Sequence, residues 1–334
     1  MPDLTYREAL NQALREEMQR DENVLLIGED IGIFEGAYKV TAGLLGEFGA
    51  RRVRDTPIAE EVFVGAGIGA AMVGLRPVVE IMTINFILLA IDQIVNNAAK
   101  LHYMFGGQVA CPITIRTPEG GGHQLAAQHS QSLANYFAYV PGLKVVAPAT
   151  PADARGLLKA SIRDDNPVVF VENLALYSTR GPVPSDEDYV VPIGKADVKR
   201  TGTDLTVVAH SRMTLLALSA AEQLANEGVS AEVVDLRSLR PLDAETVAES
   251  VRKTTRALVV EEGWPTYGVS AEVAARIQDA AFDYLDAPVR RLGGAEVPAP
   301  YAKSLERASL PDVPGIVQAA LEVVGRRTAA TAGR

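Results

Sequence analysis

Along the chain, short runs that are apolar at nearly every position alternate with longer stretches whose apolar residues recur every three or four places. In the first half the short runs are NVLLIGED from Asn23, RPVVEI from Arg76, CPITIRTP from Cys111, LKVVAPAT from Leu143 and NPVVFVEN from Asn166. Helical spacing fills the gaps, at about residues 5–20, 58–73, 86–104, 124–139 and 151–163. A strand that is apolar on both alternating faces must be covered on both, so this pattern predicts a parallel sheet between two helix layers. Residues 177–204 then break the rhythm with Pro, Gly and charges, as a linker does. The alternation resumes with LTVVAH, AEVVDLRSL, RALVVEEG and APVRRLGG as strands, with helices to Gly228, from Asp243, from Gly268 and from about Pro314. The expected fold class is therefore α/β, two parallel-sheet three-layer domains at 1–180 and 205–326, with a linker at 181–204 and a flexible Ala-rich tail at 327–334.

Composition narrows the function. A chain of 334 residues, 48% of them hydrophobic, can bury two cores of ordinary size. The net charge of −10, with no block of Lys or Arg, argues against a nucleic-acid binder and suits a basic protein partner. A single cysteine, Cys111, excludes an intrachain disulfide and a thiolate metal cluster and fits a reducing compartment. Standing before Pro112 at a strand start, it reads as inert packing. The acidic, amphipathic start has no signal-peptide layout, and no apolar run reaches membrane-spanning length. A soluble cytoplasmic protein is expected.

The first candidate chemistry lies in DTPIAEEVFVGAGIGAA, residues 55–71. Pro57 fits a first helical position and Thr56 an N-cap, which puts Glu60 and Glu61 in the first turn. Both can stabilise the helix dipole. Glu60, however, shares its face with Phe63, Val64 and Gly67, and the small residues after it let another helix or backbone come close. A carboxyl held there is desolvated, which raises its pKa toward neutrality and suits it to proton exchange. The glycines do not make a dinucleotide loop, since G-x-G-x-x-G must directly follow a strand and none of the Gly clusters does so with that spacing. Ser130 lacks the G-x-S-x-G elbow of a hydrolase nucleophile.

Together with GEDIGIFEGAYKVT, the stretches EIMTINFILLAIDQIVNNAAKLHYMFGGQ, AAQHSQSLANYFAYVPGLKVVAPATPADARGLLKASIRDDNPVVFVEN and VVEEGWPTYGVSAEVAARI carry a resemblance over about residues 4–324. The chain resembles the beta subunits of thiamine-diphosphate-dependent 2-oxoacid dehydrogenases, most of all the pyruvate dehydrogenase type, with branched-chain and acetoin enzymes as close cousins. The resemblance implies a pyrimidine-binding domain and a transketolase C-terminal-like domain. It further implies decarboxylation of a 2-oxoacid on thiamine diphosphate and reductive acylation of the lipoyl groups of a dihydrolipoyl acyltransferase core. Glu60 would hydrogen-bond the pyrimidine nitrogen and promote the imino tautomer, Phe86 would stack on the pyrimidine, and Ile58 and Met82 would line its pocket. His129 would stabilise charge on the oxoacid and assist acyl transfer. A potassium site is implied at Ile113, Ser161, Ile162, Asp164 and Asn166, where plain turn chemistry is the competing reading.

Magnesium and diphosphate are held in such enzymes by Gly-Asp-Gly followed by Asn, and this chain has no Asp-Gly dipeptide. Those ligands are therefore expected from an alpha subunit, in a two-alpha, two-beta heterotetramer. The second domain is expected to assemble the tetramer and to dock the acyltransferase, with its docking residues unassigned.

Overall fold

The computed structural model describes residues 1–326, so the tail expected at 327–334 lies outside the described residues. The described residues fall into two compact units, residues 1–119 with 136–193, and residues 120–135 with 194–326.

In the first unit the strands lie in the order Lys144–Val146, Val168–Asn173, Thr114–Glu119, Arg76–Glu80, Val24–Gly28, Val53–Asp55, all parallel. Every residue of Val24–Gly28, Thr114–Glu119 and Val168–Asn173 is buried, which needs cover on both faces. Helix Tyr6–Arg20 starts with a capping box between Thr5 and Glu8, and helix Pro151–Arg163 with Thr150 as N-cap and Pro151 at its start. These two helices pack on each other. Ion pairs with at least one buried partner stitch them: Glu16 accepts from Arg155 at 2.7 Å and Lys159 at 2.8 Å, and Glu17 from Arg163 at 2.7 Å. Helix Glu60–Met72 packs on strand Arg76–Glu80. A Cβ on Gly67 would lie 2.7 Å from Val79 Cγ2, so the small residues do admit close approach.

In the second unit the sheet order is Arg290–Leu292, Ala257–Val260, Leu205–Ala209, Ala231–Asp235, Asp197–Arg200, parallel except for the last strand, which pairs antiparallel. Helix Arg212–Asn226 packs with Val313–Val323, and Ala244–Thr254 with Val269–Ala281. From Leu205–Ala209 the chain passes to the neighbour on one side, then returns to Ala257–Val260 on the other. The crevice at the carboxyl ends of these two strands is thus the topological switch point, where open α/β sheets characteristically take their ligands. The stretch read as a linker contributes Arg180–Pro182, paired antiparallel with Asp3–Thr5, and the edge strand Asp197–Arg200.

Three local expectations need correction. Helix Glu60–Met72 begins after Ala59, at φ −161°, with no side-chain cap, so Thr56 is not its N-cap and Pro57 not its first residue. The backbone N–H of Thr56 instead donates to Gly28 O at 3.0 Å, which ties the segment to a strand end before the helix can start. The helix expected over 124–139 is reduced to Ala134–Ala138. Gly120 and Gly122 sit at φ +100° and +99°, and Gln124 and Ala126 at +55° and +64°, all incompatible with a right-handed helix. Residues 86–104 form a 3-10 turn, Ile87–Ala90, a π-helical segment, Gln93–Ala98, and a short α-helix, Ala99–Met104, in place of one continuous α-helix.

Candidate active site

Glu60 opens its helix and is only 4% exposed. The residue facing it is one that sequence reasoning missed: Glu29, directly after strand Val24–Gly28 and also buried. Burial pushes the Glu29 carboxyl up to about 7, helped by the negative charges of Glu60 and Asp30 and by a hydrogen bond with Glu60. Its Oε1 has no hydrogen-bond partner among the described residues. The signal was present in NVLLIGED, an acidic residue at the carboxyl end of a wholly apolar strand, where α/β sheets carry chemistry. Gly28 has to be small there, since a Cβ would lie 2.7 Å from Glu80 O.

A second acidic cluster in the same unit behaves differently. Arg116 pairs with Glu80 at 2.6 Å and Glu172 at 2.7 Å, and the Tyr177 hydroxyl donates to Glu172 at 2.7 Å. These carboxylates share a buried cation and make a structural ion-pair cluster. Among the described residues Glu29 has no ion pair of this kind, and what faces it is the Glu60 carboxyl.

Phe86 and Met82, both half-buried, lie on the turn after strand Arg76–Glu80, which pairs with Val24–Gly28 so that Glu80 stands opposite Gly28. The turn is fixed by Ile84 N–H donating to Pro118 O at 2.9 Å and Phe86 N–H to Thr83 O at 3.0 Å. Adjacent strands thus deliver Glu29, Met82 and Phe86 to one end of the sheet. Ile58, 80% exposed, precedes the Glu60 helix.

His129, half-buried, belongs to residues 120–135, which go with the second unit. Its N–H donates to Ala126 O at 3.3 Å, and Gly120 N–H donates to Gln131 O at 3.2 Å, closing the segment into a loop.

Of the residues implied for potassium, Ser161, Ile162, Asp164 and Asn166 lie along the end of helix Pro151–Arg163 and the turn after it, and Ile113 lies directly before strand Thr114–Glu119. Asp164 Oδ1 accepts from the Asn166 backbone and side chain, both at 2.9 Å, and Asp164 N–H donates to Ser161 O at 3.3 Å. The Ile162 and Asp164 carbonyls each accept from Arg76 Nη1 at 3.1 Å, Ile113 O accepts from Val168 N–H at 2.9 Å, and Lys144 pairs with Asp164. Burial works to raise the Asp164 carboxyl, but Lys144 and Asn166 hold it below its ordinary range. Cys111 is buried, and burial pushes its thiol up to about 11, which keeps it unreactive.

Residues 3–179 match the family described as transketolase, pyrimidine binding domain, and residues 194–316 the transketolase, C-terminal domain. The chain is 53% identical over 319 residues to the pyruvate dehydrogenase E1 component subunit beta of Rhizobium meliloti (strain 1021), covering 96% of this chain and 69% of that protein. It is 53% identical to the mitochondrial subunit beta-1 of Arabidopsis thaliana (95% and 88% covered) and 50% identical to the mitochondrial subunit beta of Bos taurus (94% and 89%). A solved structure described as a split gene transketolase, inactive beta4 tetramer, shares the fold, with a TM-score of 0.80 at 24% identity, over 97% of this chain and 99% of that one.

Proposed function

Because the chain belongs to the family of pyruvate dehydrogenase E1 beta subunits, with transketolase-type pyrimidine-binding and C-terminal domains, we propose that it forms the proton-handling side of a thiamine diphosphate cleft shared with an alpha subunit. The observation that carries this reading is the buried pair Glu60 and Glu29 at the carboxyl end of the first sheet, with a Glu29 oxygen that has no hydrogen-bond partner among the described residues. Thiamine diphosphate, when bound, supplies the nucleophilic carbon that takes up pyruvate and lets it lose carbon dioxide.

The residues present fit that group at its pyrimidine end. Glu60 offers a buried carboxyl that can hold a hydrogen bond to a ring nitrogen, and its hydrogen-bonded neighbour Glu29, pushed up to about 7, is suited to proton exchange near neutrality. Phe86 offers a flat apolar face, and Ile58 and Met82 offer apolar walls. His129 offers an imidazole, a donor suited to negative charge on a bound oxoacid and to proton delivery during acyl transfer to a lipoyl sulfur. The magnesium and diphosphate end we assign to the alpha subunit, since this chain has no Asp-Gly pair.

We further propose a two-alpha, two-beta assembly and docking of an acyltransferase core on the acidic second domain. Potassium is proposed at Ile113 with the turn of Ser161, Ile162, Asp164 and Asn166, where backbone oxygens suit a hard cation and Arg76 competes for two of them. No helix among the described residues is long and apolar enough to cross a membrane. The cytoplasm is our proposed compartment, on the single buried thiol.

The test is Glu60→Gln in the co-expressed alpha–beta enzyme. Assembly is expected to be unchanged, with decarboxylation of pyruvate lowered by about 10²–10⁴-fold, the range for lost acid–base catalysis. Retention of wild-type turnover would refute the assignment. Branched-chain oxoacids, run alongside pyruvate, are expected to be poorer substrates.

A further inference from the structure

The PEGGGHQ segment, residues 118–124, is neither a dinucleotide loop nor a helix start, yet its backbone is aimed at specific partners. Gly121 N–H donates to Glu262 Oε1 at 2.8 Å, and Gly122 N–H to Glu306 Oε1 at 2.9 Å. Gln124 N–H is shared between the Glu306 oxygens at 3.1 and 3.2 Å, and Gln124 Nε2 donates to Glu306 Oε2 at 2.8 Å. Glu306 is fully buried on helix Lys303–Ser309. Burial works to raise its carboxyl, but the bonds from Gln124 and Gly122 and the nearby His123 hold it below its ordinary range, so it is a carboxylate made for these amides.

The glycines are needed for this approach. A Cβ on Gly121 would meet Leu310 Cδ1 at 3.2 Å, and Gly122 is left-handed with Arg212 Nη1 beside it. Glu262 follows strand Ala257–Val260, and Arg212, 3.6 Å from it, heads the helix that follows strand Leu205–Ala209. The chain's own glycine segment is therefore bonded to a residue just beyond the carboxyl end of strand Ala257–Val260 and lies beside the head of the helix after Leu205–Ala209. Successive amides around a carboxylate make an anion nest, with the anion supplied by the protein itself.

We propose that Glu306, seconded by Glu262, is the positioning residue of the His129 loop, pinning its first turn so that the imidazole is presented in one orientation for acyl transfer. The inference rests on the reading of His129 as an active-site imidazole. The loop from Gly120 to Asn135 is held at its start by these carboxylates, at its middle by Gly120 N–H to Gln131 O, and at its end by Asn135 Nδ2 to Tyr267 O at 3.0 Å. Its left-handed residues have no helix or sheet ladder to hold them. Removing the nest frees the segment that carries His129.

The experiment compares Glu306→Ala, His129→Ala and the double variant in the alpha–beta enzyme. Three quantities are read: reductive acylation of a lipoyl domain, dye-coupled decarboxylation, and amide hydrogen exchange across residues 120–135. Glu306→Ala is expected to slow lipoyl acylation by about 10- to 100-fold, as an ångström-scale misplacement does, to affect dye-coupled decarboxylation less, and to speed exchange in the loop. The double variant is expected to be no slower than His129→Ala, since Glu306 acts through that imidazole. Glu306→Gln, which keeps one acceptor oxygen, is expected to restore part of the rate.

Unchanged loop exchange, wild-type acylation by Glu306→Ala beside an impaired His129→Ala, or multiplied losses in the double variant would overturn the proposal. An unimpaired His129→Ala would instead overturn the reading on which it rests, and the proposal with it. Should Glu306→Ala fail to assemble, Gln124→Ala decides by the same readouts: faster loop exchange with slower acylation supports the proposal, and no change in either overturns it.

Discussion

The Glu60 helix head and the His129 loop are both candidate working parts, but the chain positions them by opposite means. Glu60 and Glu29 are delivered by regular structure: a helix start and a strand end whose register with Arg76–Glu80 leaves no freedom. The His129 loop has no such ladder, and its amides are satisfied by side-chain carboxylates from far along the chain. A group that must hold a proton in a desolvated place gains from a rigid sheet end. A group on a loop can be tuned independently of the sheets, at the cost of needing its own anchors.

Paired glycine substitutions break the comparison most sharply. Gly28→Ala sets a Cβ 2.7 Å from a backbone carbonyl, and the expected cost is about 1–3 kcal/mol, read as a lower thermal midpoint with decarboxylation falling alongside. Gly121→Ala meets only the movable end of Leu310 at 3.2 Å, and its expected cost is below about 1 kcal/mol, with lipoyl acylation impaired more than decarboxylation. Equal midpoints for the two variants would contradict the contrast.

Protonation sharpens the contrast further, because one buried group in each unit, Glu29 and His210, contributes with opposite sign to pH-dependent stability. Glu29 rises from 4.5 to about 7 on folding, so the folded chain holds the extra proton, and its stability contribution is full below 4.5 and lost as pH rises to 7. Glu29→Gln is expected to raise the thermal midpoint relative to wild type more at pH 8 than at pH 5. His210, after strand Leu205–Ala209, falls from 6.5 to about 4 through burial, so its contribution is full above 6.5 and lost as pH falls to 4. His210→Gln is expected to flatten the acid-side decline, and a curve parallel to wild type would contradict the neutral, buried imidazole. The smallest effect is expected from potassium. Exchange for lithium should lower the midpoint only slightly, because Arg76 and Lys144 already place positive charge at that turn.

How much of this was readable beforehand follows the same division. Runs such as NVLLIG and NPVVFV announced buried parallel strands because burial on both faces leaves no polar position to confuse the pattern. Glu60 was legible because a carboxylate on an apolar helix face is an anomaly with a local signature. Glu29 was missed because an acid after a strand looks like an ordinary turn until a second carboxyl is seen against it. Residues 124–139 have helical spacing, but Gln124 and Ala126 are left-handed and the Gln124 amide is captured by Glu306, more than a hundred residues away. Thr56 and Pro57 mimic a helix start, and only the bond from Thr56 N–H to Gly28 O shows why the helix waits for Glu60.

The central claim is that this chain supplies one side of a shared cleft and lacks the ligands for the charged end of the coenzyme. Calorimetric titration of magnesium and thiamine diphosphate into the purified chain, and then into the alpha–beta assembly, tests it most directly. The account predicts no binding heat for the chain alone and saturable binding for the assembly. Tight, stoichiometric binding by the chain alone would contradict it.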